Sequence, residues 1–281
     1  MRRMEEPLYF PSDDFRLFGV LHLPDFARPA DEGSRVTHHA SRIGLVLCAP
    51  FAEEQKQACR VFVETARALA AHGIPSLRFD YRGTADSQGP FTDFSLAGAL
   101  RDIQAAAALL RDRAGVPRIA LLGLRLGASL ALQAAAGAHC LALWHPIVDG
   151  ALFYRLNLRR MLVRQMMTHG KATGARDTGQ AHTIDLDGFL ATHALCDEIK
   201  ALNLADCGSR TADWPPTLLA QIAHTADPSA ELKPLLDRLG PAARFAPFVM
   251  EPFWDRLGYV DCSPLIQATV AWLVEQAAAQ A

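Results

Sequence analysis

Along most of this chain, short continuous apolar runs alternate with longer segments whose apolar residues recur every three or four positions. The first pattern predicts buried strands and the second amphipathic helices. Residues 8–10 and 15–23 alternate apolar and polar around a Pro-Ser-Asp-Asp turn and predict an opening antiparallel hairpin. A polar loop, 25–42, follows. Strands are then expected at 43–49, 74–81, 118–122 and 141–145, separated by helices at 58–72, 94–114 and 126–138. Strands that are apolar throughout and joined by helices predict a mostly parallel sheet covered on both faces.

The alternation then stops for a long stretch. Residues 151–168 are helical in pattern but carry Arg155, Arg159, Arg160 and Arg164, residues 169–183 are polar, and 184–204 form a second helical stretch. This block is expected to be a cap insertion, residues 149–211, in a core made of 1–148 and 212–281. The alternation resumes with strands at 217–223 and 244–250 and helices at 230–239 and 265–278.

Composition narrows the function classes. The 281 residues are 50% hydrophobic and 21% charged, with a net charge of −2, which leaves no footprint for nucleic acid. The opening Met-Arg-Arg-Met-Glu-Glu-Pro has no apolar run behind it and does not read as a signal peptide, and no stretch reaches the length of a membrane span. Cysteines 48, 59, 140, 196, 207 and 262 are scattered, as expected for reduced thiols in a cytoplasmic protein. No His/Cys/Asp set has metal-site spacing, and neither a metal nor a cofactor is expected.

The chemistry centres on Gly123-x-Arg125-x-Gly127, where a strand runs straight into a helix. This is the frame of a nucleophile elbow, G-x-S-x-G, with arginine in place of serine. A guanidinium stays protonated and offers only donors, so Arg125 cannot attack a carbonyl.

The order of elements, with the elbow on the fifth strand and a cap after the sixth, resembles the α/β-hydrolase superfamily. Phe79-Asp-Tyr-Arg-Gly-Thr-Ala-Asp-Ser-Gln-Gly89 is similar to the Asp-x-Arg-Gly-x-Gly-x-Ser loop of such proteins. Ala49-Pro-Phe-Ala-Glu-Glu54 together with the arginine elbow resembles the exosortase A system-associated hydrolase of the second type, found with exopolysaccharide and protein-sorting systems. The resemblance implies an eight-stranded, mostly parallel sheet with helices on both faces and a small helical cap. It also places Asp227, in Thr225-Ala-Asp-Pro228, where the family's triad acid follows the seventh strand. The triad histidine has no counterpart, because residues 249–264 contain no histidine.

Two readings of Arg125 remain open. Its guanidinium and the helix N-terminus at Leu126 converge on an anionic ligand, or Glu53 or Glu54 neutralises it in an internal ion pair. Phe51, Glu251 and Trp254 are further candidates for lining a pocket. Ser129, Ser87 and Cys48 are alternative nucleophiles, each with a structural reading beside it. Glu54, His224 and Asp227 are candidates for general acid/base chemistry, and His145 also stands at a strand end. Two function classes follow. One is a non-hydrolysing relative that binds a small acyl or anionic molecule, or a partner protein. The other is a hydrolase or acyl-transfer enzyme with a non-serine mechanism.

Overall fold

The computed structural model describes residues 5–24, 42–169, 176–177, 183–186, 188–206, 214–256 and 258–279. Residues 25–41 of the expected polar loop and much of 169–183 therefore fall outside the described residues, as does Cys207. A hairpin of β1 (Glu5–Ser12) and β2 (Phe15–His22) opens the chain. Then come β3 (Ile43–Cys48), α1 (Glu53–Ala71), β4 (Ser76–Phe79), α2 (Leu96–Ala114), β5 (Arg118–Leu124), α3 (Leu126–Gln133) and β6 (Leu141–Trp144). After an intervening segment, β10 (Thr217–Ala223), α6 (Lys233–Leu239), β11 (Ala243–Val249) and α7 (Ser263–Ala278) complete the fold.

These strands form one eight-stranded sheet in the order β1-β2-β4-β3-β5-β6-β10-β11. β2 pairs antiparallel with β1 and β4, and every later pairing is parallel. All six residues of β3 are buried, as are all four of β6, which is what helices on both faces require. α1 packs against α7, and α2 against α3. Trp144 is a pin through the first layer: its indole N–H donates to Thr269 Oγ1 of α7 at 3.0 Å, and its ring meets Phe62 of α1 edge-on.

Parallel strands bring their carboxyl ends, and the loops after them, to one edge. The loop after β4 is anchored there by a buried ion pair. Arg82 Nη2 lies 2.6 Å from Asp102 Oδ1, the Arg82 backbone N–H donates to Oδ2, and Ser12 Oγ donates to Oδ1. Asp102 is wholly buried, so the pair joins β1, the loop and α2 without water.

Two expectations need correction. The helix expected at 58–72 begins at Glu53, because Ala52 turns the chain directly from strand to helix at φ 52°, ψ −122°. The stretch 184–204, expected to be helical, is a hairpin followed by a short helix. β8 (Thr183–Leu186) pairs with β9 (Phe189–Thr192), and both belong to a three-stranded antiparallel sheet with β7 (Arg176–Asp177). Gly188, at φ 93°, donates its N–H to Asp185 Oδ1 at 2.7 Å and makes the turn. Thr192 then caps α5 (His193–Ala201) through the Leu195 N–H. The segment between β6 and β10 is thus not purely helical: it combines α4 (Gly150–His169), this sheet and α5.

Two substitutions test the frame. A Cβ on Gly127 would stand 2.2 Å from the Cys48 carbonyl oxygen and 2.3 Å from that of Ala49, both backbone atoms. Gly127→Ala should therefore lower stability by about 3 kcal/mol, the upper end of overpacking costs, read from urea midpoints. Asp102→Ala should cost roughly 3–5 kcal/mol, because it removes the buried partner of Arg82 and leaves only the part-exposed Asp13.

Candidate functional site

The elbow places Arg125 at the carboxyl edge, between β5 and α3, with φ 54° and ψ −120°. A non-glycine residue at positive φ costs of order 1–3 kcal/mol and persists only where its surroundings enforce it. Here the enforcement is steric, since a Cβ on Gly123 would meet the Gly127 carbonyl at 2.3 Å. The Arg125 N–H donates to the Trp144 carbonyl at 3.0 Å and ties the turn to β6. Ala52 has almost the same dihedrals, so a second strand-to-helix elbow stands after β3.

These two turns bring Arg125 and Glu54 together. Arg125 Nε lies 3.4 Å from Glu54 Oε1, and Nη1 lies 3.5 Å from the His145 carbonyl oxygen. Both side chains are buried, 10% and 8% exposed. The guanidinium carbon sits 5.2 Å from the Trp254 ring centre and 5.6 Å from that of Phe153, so two aromatic faces complete its surroundings. Burial pushes the Glu54 carboxyl up from its ordinary value, and the Arg125 charge opposes that shift. Glu53 instead pairs with Lys56 at 2.9 Å on the outer surface.

A second carboxyl feels the same guanidinium. Glu231 is raised by burial and lowered by Arg125, and it accepts the Val148 backbone N–H. Sequence reasoning missed it by fixing on Asp227, which is the family's position. The Asp227 side chain is exposed, and its carbonyl is held by Gln221 Nε2 at 2.8 Å. The signal for Glu231 was faint: an acid four residues further along the same loop.

The alternative nucleophiles are engaged elsewhere. Ser129 Oγ donates to the Ile147 carbonyl at 2.7 Å and accepts the Ile147 N–H at 3.0 Å, which stitches α3 to the chain after β6. Ser87 Oγ donates to the Asp80 carbonyl and accepts the Phe18 N–H. Cys48 is fully buried, and that burial pushes its thiol up to about 12.

Histidines fare no better as bases. His224 is 70% exposed and lies 4.0 Å from Glu251, which pairs with Arg256 at 2.8 Å, so this group is on the outside. His145 is adjacent to Arg125, but its Nδ1 accepts the Ile222 N–H at 3.1 Å. Burial, then the Arg125 charge, lower its pKa to about 3. It is therefore a neutral ring carrying its proton on Nε2.

A cavity of about 600 Å³ opens above these residues, between the start of α1 and the segment containing α4 and β9. Phe51, Glu53, Glu54 and Trp254 line it; Arg125, Leu126 and Glu251 do not. Phe153, Leu158, Met161, Leu186 and Phe189 supply most of the apolar wall. Among the arginines of α4, Arg160 and Arg164 reach the wall, whereas Arg155 and Arg159 are exposed and do not line it. Among the described residues, no group of three His, Cys, Asp or Glu could hold a metal ion, and no helix is long and apolar enough to cross a membrane.

No family model matches this chain. No curated protein matches it either. Its architecture, by contrast, is shared with solved structures. Est1E from Butyrivibrio proteoclasticus, solved with ferulic acid bound, is similar with a TM-score of 0.63 and 16% identity over 96% of this chain and 98% of that one. A proline iminopeptidase from Mycobacterium smegmatis gives 0.61 and 16% over 98% and 100%. An α/β serine hydrolase without lid from Xanthomonas campestris gives 0.55 and 17% over 98% and 94%. The chain has the α/β-hydrolase fold.

The charge state of His145 generates a pH prediction. The unfolded histidine titrates near 6.5 and the folded one near 3. Between these values the unfolded state binds a proton that the folded state refuses. Stability from this residue is thus fully present above pH 6.5 and is lost as the pH falls toward 3. His145→Asn keeps an acceptor for Ile222 and tolerates the positive φ of 44°. It should flatten the fall in urea midpoint between pH 6.5 and 4 relative to the native protein.

Proposed function

We propose that this protein is a non-hydrolysing member of the α/β-hydrolase fold that binds a small acyl molecule in the cavity above its elbow. The observation that carries this reading is the position of Arg125. It occupies the nucleophile's place, is buried, and is held by Glu54 between two aromatic rings. No serine or cysteine discussed above is free to replace it, and the neutral His145 faces a backbone N–H. An apolar, aromatic-lined cavity above a closed catalytic point suits holding a molecule better than cleaving one.

The other expected head group, an anion on Arg125, loses support because that guanidinium does not line the cavity. Arg160 and Arg256 do line it, but each is paired, with Asp255 and Glu251 respectively. In this reading residues 149–211 act as the cap that roofs the cavity. The pairing of Ala49–Glu54 with the arginine elbow supports an exopolysaccharide or exosortase-type biosynthetic setting in the cytoplasm. A second reading, acid/base catalysis without serine, draws on the buried Glu54 and the part-buried Glu231, two carboxyls raised by desolvation and lowered by the charge of Arg125.

The test has two arms. A fluorophosphonate probe should label no serine in the native protein, and Arg125→Ser should remain unlabelled because no histidine is placed to activate it. Stoichiometric labelling of the native protein would overturn the reading. In the second arm, medium-chain acyl compounds should raise the melting temperature of the native protein, and the gain should shrink for Phe153→Ala and Phe189→Ala. No stabilisation by any chain length would remove the ligand-binding reading.

A further inference from the structure

Among the described residues, a buried polar atom of this cavity's lining has no partner. Glu54 lines the cavity and is 6% exposed, and its Oε1 meets Arg125 at 3.4 Å. Its Oε2 is buried with no hydrogen-bond partner. The other charged groups on the wall are engaged: Glu53 with Lys56, Arg160 with Asp255, and Arg256 with Glu251. Arg164 is not free either. A carboxylate has only acceptors to offer, and a buried acceptor left unsatisfied is costly. The missing group is therefore a donor.

We infer that the molecule held in this cavity presents a hydrogen-bond donor, a hydroxyl or amine N–H on its acyl or alkyl body, to Glu54 Oε2. This rests on the reading of the cavity as a ligand site and adds the head-group chemistry that selects among ligands. Phe51, Phe153, Leu158, Met161 and Phe189 take the apolar body, and Glu54 sits where α1 begins, at the inner end of that wall. The backbone does not shift to satisfy Oε2, because Ala52 is locked at φ 52° and the Glu54 N–H already donates to the Phe51 carbonyl. Discrimination follows from this rigidity. A site built to hydrogen-bond a substrate O–H or N–H rejects the analogue that lacks it, since the acceptor then stays unpaired.

Isothermal titration calorimetry at pH 8 tests the inference with four probes: n-octanol, its donorless isomer heptyl methyl ether, n-octylamine and octanoate. The alcohol and the amine should each bind at least about tenfold more tightly than the ether, as one hydrogen bond to a charged group provides. Octanoate, an acceptor without a donor, should bind more weakly than the alcohol. Tighter binding of the amine than of the alcohol marks an ammonium as the preferred donor; equal binding marks a neutral one.

Glu54→Gln should reduce the preference for donors. Glu54→Leu should abolish it, and because that change strands Arg125, Glu54→Leu/Arg125→Leu is measured beside it. The inference is overturned if the native protein binds ether and alcohol equally, if octanoate binds tightest, or if the double variant keeps the preference. Equal binding of all four probes removes the donor and leaves the ligand site standing. Binding of none removes both.

Discussion

No side-chain atom fits at the crossing of β3, β5 and α3. The Cβ positions of Gly123 and Gly127 would both fall within 2.4 Å of backbone atoms, and those atoms belong to the strands and helix that form the centre of the sheet. Because the elements cross so closely, the residue between the glycines is driven into a strained turn and held at the carboxyl edge. The geometry does not depend on which residue that is. A serine there would be an exposed nucleophile, whereas an arginine is a long cation that must be neutralised once the loops close over it.

The electrostatics of the site follow from that demand. Glu54 and Glu231 come from opposite sides of the sheet's middle, one from α1 and one from the turn before α6, and both carry the mark of burial around Arg125. His145 lies against the same cation and is kept neutral by it and by desolvation. Trp254 stands in the loop after β11, where hydrolases of this fold were expected to carry the histidine, and covers the guanidinium instead. Among the described residues around the elbow, Glu54 Oε2 is buried without a hydrogen-bond partner.

That unpaired atom arises from how α1 is built. Ala52 repeats the dihedrals of Arg125, so two elbows face each other across the edge, and the second puts a carboxyl rather than a nucleophile at the start of its helix. The first turn of a helix favours negative charge, which makes Glu53 and Glu54 natural there. Of the two, Glu54 is buried, and Glu53 pairs with Lys56. The segment after β6 then places Phe153 and Met161 of α4 and Phe189 of β9 on the wall of the cavity that Glu54 also lines.

Much of this was legible in residue order. Apolar runs marked the central strands of the large sheet, because a strand buried on both faces cannot alternate, and alternation marked its opening hairpin. The two glycines marked the elbow, because only glycine survives such contact. That Arg125 cannot itself act as a nucleophile is decided by its functional group alone. Other features depend on contacts between distant residues, which no local pattern carries. Periodicity read residues 184–204 as helical, although the Asp187-Gly188 dipeptide is a hairpin signal, and pairing between β8 and β9 prevailed. The partner of Arg125 narrowed to Glu54, and Glu231, which no motif marked, feels the same charge, because burial at the sheet edge is a property of packed loops. The aromatic wall from α4 and β9, and the solitary acceptor beneath it, exist only where segments far apart in sequence meet.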